Sequence, residues 1–239
     1  FNKWDAAQIL LTEQVLLIAA DPNKVIDRPG ITALSDAFAD ALASSDLDDM
    51  FKSGLLTLPS VSALENRMKP ADPIALFYAR RELEAELGRL LATQISVVLT
   101  RHFDPVGVMP RVVSSDMTKT AGGRALLNRL LSLAVSAGDL EAIEFAAAQV
   151  HHQNMTLSQG AIAALNHCDH PYRSEALRQF YDRWQDNPLV LEKWFMMEST
   201  SVVSGTIDRL KELMKHPTFD SNNPNQLRAV LGAFMAGNP

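Results

Sequence analysis

The chain has 239 residues, of which 47% are apolar and 21% are charged, with a formal net charge of −6 and a single cysteine. This length allows one or two domains, and the composition is that of an ordinary globular protein. A negative net charge argues against a nucleic-acid partner, because dedicated nucleic-acid binders normally carry a basic face.

Several features place the chain among cytoplasmic proteins. The single Cys168 excludes an intramolecular disulfide and suits a reducing compartment. The longest apolar runs are far too short to span a bilayer, so no membrane partner is expected. The N-terminus shows no signal-peptide pattern. It also lacks a starting Met, so we expect the chain to be a piece of a longer protein. The apolar face of the last predicted helix would need something beyond the chain to cover part of it, so we also expect the protein to continue past Pro239; this face holds Leu227, Val230, Leu231 and Phe234.

Helical periodicity dominates the whole chain, and alternating strand patterns are nearly absent. The first predicted helix carries an apolar stripe that includes Trp4, Leu11 and Val15, and it ends near Ala20. Residues 74 to about 102 predict one long helix, because only Gly88 interrupts the helix-forming pattern there; at about 28 residues it would be about 42 Å long. Further helices are predicted over residues 31–43, 45–52, 124–135, 140–150, 156–167, 171–184, 188–197, 206–215 and 224–234.

Glycine, proline and capping residues mark the predicted ends of these helices. Pro29-Gly30 is expected to precede the second helix, and the segment 103–120 is the best loop candidate. Gly138 fits the position just after a helix end. Arg80 and Glu84 are expected to pair on the solvent side of the long helix, which contributes only about 0.3–0.5 kcal/mol.

Two Asn-Pro steps predict helix starts in the C-terminal part. Pro188 and Pro224 suit the first helical position, and Asn187 and Asn223 can cap the free amides. Gln226, three residues after Asn223, forms a capping-box-like pair with it. The aromatic residues nearby are expected in the core with the apolar residues of the last helix; the expected core residues are Trp184, Trp194, Phe195, Leu227 and Phe234.

Short helices with short links predict an all-α fold, an irregular, solenoid-like superhelix of antiparallel helix pairs. No repeat of fixed period is visible. We expect a single helical domain over residues 1–239, with the N-terminal helices and the long helix in residues 1–120 and short antiparallel helices in residues 121–239.

No catalytic or metal site is predicted within the chain. The segment His167-Cys168-Asp169-His170 holds metal-ligand residue types, but a structural zinc site needs a second ligand pair, and none occurs at typical spacing. Neither His-Glu-x-x-His nor a nucleophile or phosphate-binding motif is present. Without outside information, Arg228 is interpreted as a solvated residue at the flank of an apolar helix.

Two long stretches nevertheless resemble a known family. D-N-P-L-V-L-E-K-W-F at residues 186–195 and H-P-T-F-D-S-N-N-P-N-Q-L-R-A-V-L-G-A-F at residues 216–234 are similar to the C-terminal region of bacterial aminopeptidase N, the alanyl aminopeptidase of the gluzincin zinc metallopeptidases. F-N-K-W-D-A-A-Q at the start, L-L-T-L-P-S-V at 55–61 and D-P-I at 72–74 look similar too. The resemblance covers nearly the whole chain in the same order.

The resemblance implies an all-helical, non-catalytic C-terminal domain, a superhelix that arches over the catalytic domain of the same polypeptide. This domain encloses the active site and shapes the access of peptide substrates. Zinc is the cofactor of the parent enzyme, but the family's zinc ligands, general-base Glu and Gly-x-Met-Glu-Asn motif lie in preceding domains. No cofactor is therefore expected in this fragment, and it should be inactive alone.

One site residue follows from the resemblance. In relatives, the Arg in the helix after Asn-Pro-Asn lines the internal channel, and here that position is Arg228. Gln226 stands where some relatives carry a second basic residue. A cation in a closed cavity would attract the C-terminal carboxylate of a peptide.

The alternative is a free-standing α-helical scaffold that binds protein partners. The reading frame on both sides of the segment discriminates between the two hypotheses. A His-Glu-x-x-His upstream favours the aminopeptidase, whereas a start codon just before Phe1 and a stop after Pro239 favours the scaffold.

Overall fold

The computed structural model describes residues 2–21, 28–104, 111–112 and 116–238, and these residues group into two compact units, Phe1–Phe145 and Ala146–Pro239. The elements of the first unit are α1 (Asn2–Ala20), α2 (Arg28–Ala43), α3 (Asp49–Leu56), α4 (Val61–Glu65), α5 (Pro73–Leu90), α6 (Ala92–Leu99), β1 (Phe103–Asp104), β2 (Arg111–Val112), α7 (Asp116–Lys119) and α8 (Ala121–Ser136). Helix α9 (Leu140–Gln149) follows at the boundary.

Helix α8 is the centre of the first unit. It packs against α3, α5, α6 and α7, and its buried residues lie on more than one side. These residues are Leu126, Leu127, Leu130, Leu131, Leu133, Ala134 and Val135. Helix α1 packs against α5 and α3, so the leucine-rich core of the unit extends from α8 through α5 to the first helix.

The end of α8 was predicted correctly. Gly138 has φ +83°, the left-handed conformation that glycine adopts without strain. The amides of Gly138 and Asp139 donate to the carbonyls of Val135 and Ala134, at 3.0 and 3.1 Å, which is the Schellman pattern of a helix C-terminus.

The long helix predicted over residues 74–102 is wrong. Its polypeptide forms two helices, α5 and α6, with a turn at Leu91 (φ −93°, ψ 7°) between them. Both helices pack against α8, which has 16 residues and is therefore about 24 Å long. A straight helix of about 42 Å would extend past α8, whereas the turn lets Leu87, Leu91 and Ile95 all be buried.

Three other boundaries differ from the prediction. Pro29 and Gly30 lie inside the first turn of α2, where a missing amide hydrogen costs nothing. The third helix begins four residues later than expected, because the Asp48 carboxylate accepts from the Phe51 amide at 2.8 Å and caps α3. The segment 103–120 is not wholly a loop, since it contains α7 and an antiparallel pair in which Phe103 lies opposite Val112. Residues 105–110 and 113–115 of that prediction lie outside the described residues.

The expected solvent position of the Arg80–Glu84 pair is also wrong. Glu84 is only 7% exposed, because α8 covers it and places Arg129 and Ser132 beside its carboxylate. Arg80 Nη1 lies 3.4 Å from the other carboxylate oxygen. Each arginine also donates through Nε to a backbone carbonyl: Arg129 to Leu56 at 2.8 Å and Arg80 to Pro59 at 2.9 Å. We call Glu84, Arg80 and Arg129 the arginine clamp.

The second unit contains the remaining helices, most of which begin at a capping side chain. They are α10 (Met155–Leu165), α11 (Pro171–Trp184), α12 (Pro188–Ser199), α13 (Thr206–Leu213), α14 (Pro224–Leu227) and α15 (Ala233–Gly237), with a π-helical turn, Arg228–Gly232, between the last two. Asn187 and Asn223 accept from the amides of Val190 and Asn225, at 3.3 and 3.0 Å. Both Asn-Pro steps are therefore helix starts, as predicted.

The described residues confirm the all-α expectation, with one pair of two-residue strands as the exception. The expectation of a single domain divided near residue 120 stays a prediction. None of the described helices is both long and apolar enough to cross a membrane.

Candidate functional site

Arg228 lies at the start of the π-helical turn that joins α14 to α15. Asn223 caps α14 and Pro224 occupies its first position, so the start of this helix is fixed about one turn before the site. The π turn is a rare geometry that is frequently found at functional sites. The side chain of Arg228 is exposed, and its Nη1 lies 3.5 Å from Asn225 Oδ1. Arg228 therefore presents, in the second unit, a guanidinium that an anion from solvent can reach.

Gln226 does not form the predicted capping box with Asn223. The Asn223 amide instead donates to the Asp220 carbonyl at 3.0 Å, so it needs no side-chain acceptor. Gln226 is 8% exposed, and its Oε1 accepts from the Asp220 amide at 2.6 Å. The residue therefore holds the segment before α14 in place. A charged side chain here would be buried rather than presented beside Arg228.

An apolar cluster in the second unit fixes the helix that carries Arg228. Phe195 is fully buried in it, and Trp194 and Phe234 pack against it, as the sequence predicts. Val230 is fully buried in it as well. Leu227 and Trp184 are half-buried. Directly after α15, the Asn238 side chain donates to the Ser199 carbonyl at 3.0 Å, which joins the end of α15 to the end of α12.

His216 lies at the edge of this apolar cluster and was not singled out from the sequence. Its Nδ1 accepts from the Thr218 amide at 3.2 Å, so the neutral ring carries its hydrogen on Nε2, which lies 3.0 Å from the Tyr181 hydroxyl. The ring also meets Trp194 and Phe195, at 5.7 and 5.4 Å between centroids. Burial lowers the pKa of His216, because an apolar environment disfavours the charged ring.

A buried polar network joins three helices of the second unit. Arg173 Nε donates to Asn166 Oδ1 at 3.1 Å, and Asn166 Nδ2 donates to the Met197 carbonyl at 2.6 Å. Arg173 Nη2 lies 3.3 Å from Glu198 Oε2. Burial raises the pKa of Glu198 despite this pair, since desolvation outweighs the attraction of Arg173. Sequence spacing gave no signal for the network, because its members come from α11, α12 and the end of α10.

The histidines of the candidate metal segment have structural contacts. His170 caps α11, its Nδ1 accepting from the Tyr172 amide at 3.3 Å. Cys168 is half-buried, and burial raises the pKa of its thiol. Within the described residues, no three His, Cys, Asp or Glu side chains come together as a group that could hold a metal ion. These residues therefore do not fit a zinc site.

The fold and these contacts define an all-helical domain, and comparison with known proteins gives its family. The model of the family described as "Domain of unknown function (DUF3458_C) ARM repeats" matches residues 1–239. The chain belongs to this DUF3458_C domain family. Armadillo repeats are stacked helical units, which agrees with the expected solenoid-like arrangement of helix pairs.

The relatives of the chain include bacterial aminopeptidases. The chain is 29% identical over 241 residues to aminopeptidase N of Escherichia coli (strain K12), and 32% identical over 242 residues to aminopeptidase N of Caulobacter vibrioides. Each alignment covers 100% of this chain and 27% of the relative. The crystal structure of Legionella pneumophila aminopeptidase A in complex with aspartic acid superposes with a TM-score of 0.80 and 25% identity, over 99% of this chain and 28% of that protein.

These matches confirm the resemblance to the C-terminal domain of aminopeptidase N. The chain spans only about 27% of the length of the two relatives, so it corresponds to one domain of a longer polypeptide.

Proposed function

We propose that the chain is the non-catalytic C-terminal domain of a cytoplasmic, zinc-dependent aminopeptidase that removes N-terminal residues from peptides. The observation that carries this proposal is the alignment of the whole chain with about a quarter of two aminopeptidase N proteins. In this proposal the zinc site and the catalytic residues lie in the rest of the polypeptide. The domain encloses the active site and restricts which peptides reach it.

Within this function, we assign Arg228 to the path of the peptide. Its guanidinium is exposed and lies 3.5 Å from Asn225 Oδ1, which is a long contact, and its helix is anchored by Val230. A permanent positive charge on a fixed helix suits the C-terminal carboxylate of a peptide, because arginine pairs with carboxylates through two parallel hydrogen bonds. A single-residue chromogenic amide has no such carboxylate.

The test uses the intact polypeptide with Arg228→Ala. We expect kcat/KM to fall roughly 5-fold for short peptides, because a partly hydrated ion pair contributes about 1 kcal/mol. Hydrolysis of an alanyl chromogenic amide should stay unchanged. Steady-state kinetics with both substrates measure the difference.

Arg178→Ala is the matched control. Arg178 is also an exposed arginine of the second unit, but it pairs with Glu175 and Asp182 along α11. Arg178→Ala should change kcat/KM neither for the peptides nor for the amide. Equal losses for peptide and amide in Arg228→Ala would contradict the channel role. An intact polypeptide that neither binds zinc nor hydrolyses the amide would overturn the proposed function as a whole.

A further inference from the structure

The first helix has apolar residues on both its buried and its exposed side. Leu11, Val15 and Ile18 point into the first unit. On the other side, Ile9, Leu10 and Leu17 are 51%, 45% and 49% exposed. With Trp4, α1 holds four of the sixteen large hydrophobic residues that are exposed among the described residues. Single exposed leucines are ordinary, but several apolar residues on the exposed side of one helix indicate an interaction surface, so the exposed side of α1 is a candidate for a covered surface.

A groove between α1 and α2 continues this exposed side. It has a volume of about 410 Å³, and Leu10 forms part of its wall. Its floor is made of Leu34, Phe38 and Leu55, which are buried in the first unit. Lys3 and Asp40 line it as well and are exposed, so charges of both signs lie at its rim. An apolar floor with a polar rim is the arrangement found at protein–protein interfaces.

We propose that this α1 surface, defined as Ile9, Leu10, Leu17 and the groove beside Leu10, binds another domain of the same polypeptide. The inference rests on the proposed function, in which this chain is one domain of an aminopeptidase. About 27% of each of the two relatives aligns with this chain, so most of such a polypeptide lies outside it and is tethered to it. Tethering gives the partner domain a high effective concentration, which favours it over any free partner.

The exposed side of α1 does not suit a membrane surface. Helices that lie on membranes carry many Lys and Arg residues on a distinct polar face. Helix α1 instead has apolar residues on both sides, and its charged residues are Lys3, Asp5 and Glu13. A surface of this kind matches a second apolar protein surface.

Photo-crosslinking of the intact polypeptide tests the proposal. A benzoylphenylalanine in place of Leu17 should crosslink, within one molecule, to residues outside the 239-residue segment. The same probe in place of Leu140 is the control. Leu140 is 70% exposed, but its neighbours Asp139 and Glu141 are charged and exposed, so it is a single surface leucine rather than part of a patch. Peptide mapping by mass spectrometry locates each crosslink.

A second variant tests the apolar character of the contact. With the probe at position 17, Leu10→Asp should lower the crosslink yield roughly tenfold, because it removes a leucine from the interface and introduces a carboxylate that would be desolvated there. Leu140→Asp should leave the yield unchanged. Circular dichroism confirms that each variant keeps its helices.

Three results would overturn the docking surface: crosslinks only to a second copy, crosslinks only within the 239 residues, or no more crosslinking from position 17 than from position 140. The alanyl amide assay on the same preparations separates the two proposals. Hydrolysis without the expected crosslinks contradicts only the docking surface, whereas crosslinks to the rest of an inactive polypeptide support the surface and contradict the proposed function.

Discussion

Gly88 lies at a close approach of α5 to α8. A β-carbon at this position would lie 2.1 Å from the Leu133 carbonyl oxygen and 2.9 Å from Ala137 Cβ. The backbone oxygen belongs to a central helix and cannot move aside without shifting α8. A glycine that looks like a weak point of the helix in the sequence is therefore required for packing.

Gly88→Ala should lower the free energy of unfolding of the chain by about 1–3 kcal/mol, because overpacking exceeds the roughly 1 kcal/mol by which Ala favours a helix. Gly54→Ala in α3 is the control, since its added carbon would meet only Trp4 at an ordinary 3.7 Å. We expect the control to be neutral or slightly stabilising. Urea unfolding measures both variants, and an equally stable Gly88→Ala would contradict the close approach.

His216 predicts a dependence of stability on pH. Its pKa is lowered in the folded chain, whereas an unfolded histidine titrates near 6.5. The folded state therefore binds fewer protons than the unfolded state in this range. The contribution of His216 is fully present above pH of about 6.5 and is lost as the pH falls through the lower folded pKa.

We expect the free energy of unfolding to fall between pH 7.5 and pH 5, and to fall less steeply in His216→Gln. His102 and His152 also have lowered pKa values, so a part of the dependence should remain in the variant. Urea titrations at several pH values give the two slopes. Identical slopes of unfolding free energy against pH in the two proteins would exclude His216 as a source of the pH dependence.

At the scale of elements, the arginine clamp holds α5, α8 and the segment before α4 together. The side chains of Arg129 and Glu84 are 11% and 10% exposed, so the loss of one charge leaves the other nearly buried. Arg129→Ala should cost about 3 kcal/mol of unfolding free energy, because it leaves the nearly buried Glu84 carboxylate with the longer Arg80 contact as its remaining ion pair of the clamp. Arg129→Lys keeps the charge but not the planar fork, and should lose less.

Arg178→Ala provides the comparison for the arginine clamp. Arg178 pairs at 2.6 and 2.7 Å with two exposed carboxylates, yet solvent-exposed pairs of this kind contribute little to stability. Thermal unfolding of the three variants should therefore rank Arg178→Ala as the mildest. A loss in Arg129→Ala no greater than this control would show that Glu84 finds other compensation.

The sequence predicted elements well where local chemistry decides them. The starts of α12 and α14 follow from Asn-Pro steps, and the end of α8 follows from Gly138. The break at Leu91 and the burial of Glu84 were missed, because both depend on α8, which begins 30 residues after Leu91 in the sequence. Periodicity describes one helix at a time and carries no information about which helix covers it.

For the candidate site, the sequence alone predicted only an exposed arginine beside an apolar helix, and its channel role came from the resemblance. The π turn was invisible in the sequence, since one extra residue in a turn leaves the apolar pattern nearly intact. His216 and Glu198 were missed because the partners that define them are distant in the chain.

At the scale of the whole molecule, the family match spans residues 1–239, although the described residues form two compact units. A common family does not require common folding behaviour. The single-domain interpretation predicts that the two units unfold together. The urea experiments above test this, because they show either one unfolding transition or two.

The arginine clamp also holds the backbone of residues 56–59 through contacts that do not depend on the side chains of these residues. Arg129 and Arg80 bind the carbonyl oxygens of Leu56 and Pro59, and every residue type presents that same oxygen. Side-chain replacements in this segment therefore leave the hydrogen-bond acceptors of both arginines in place. Leu55, Leu56 and Leu58 are buried in the core, and Ser60 caps α4. The side chains that fix the course of the backbone belong instead to α5 and α8. Replacement of the exposed Thr57 by a residue other than proline should remove the bond from its hydroxyl to the Ser53 carbonyl and still leave the course of this segment unchanged.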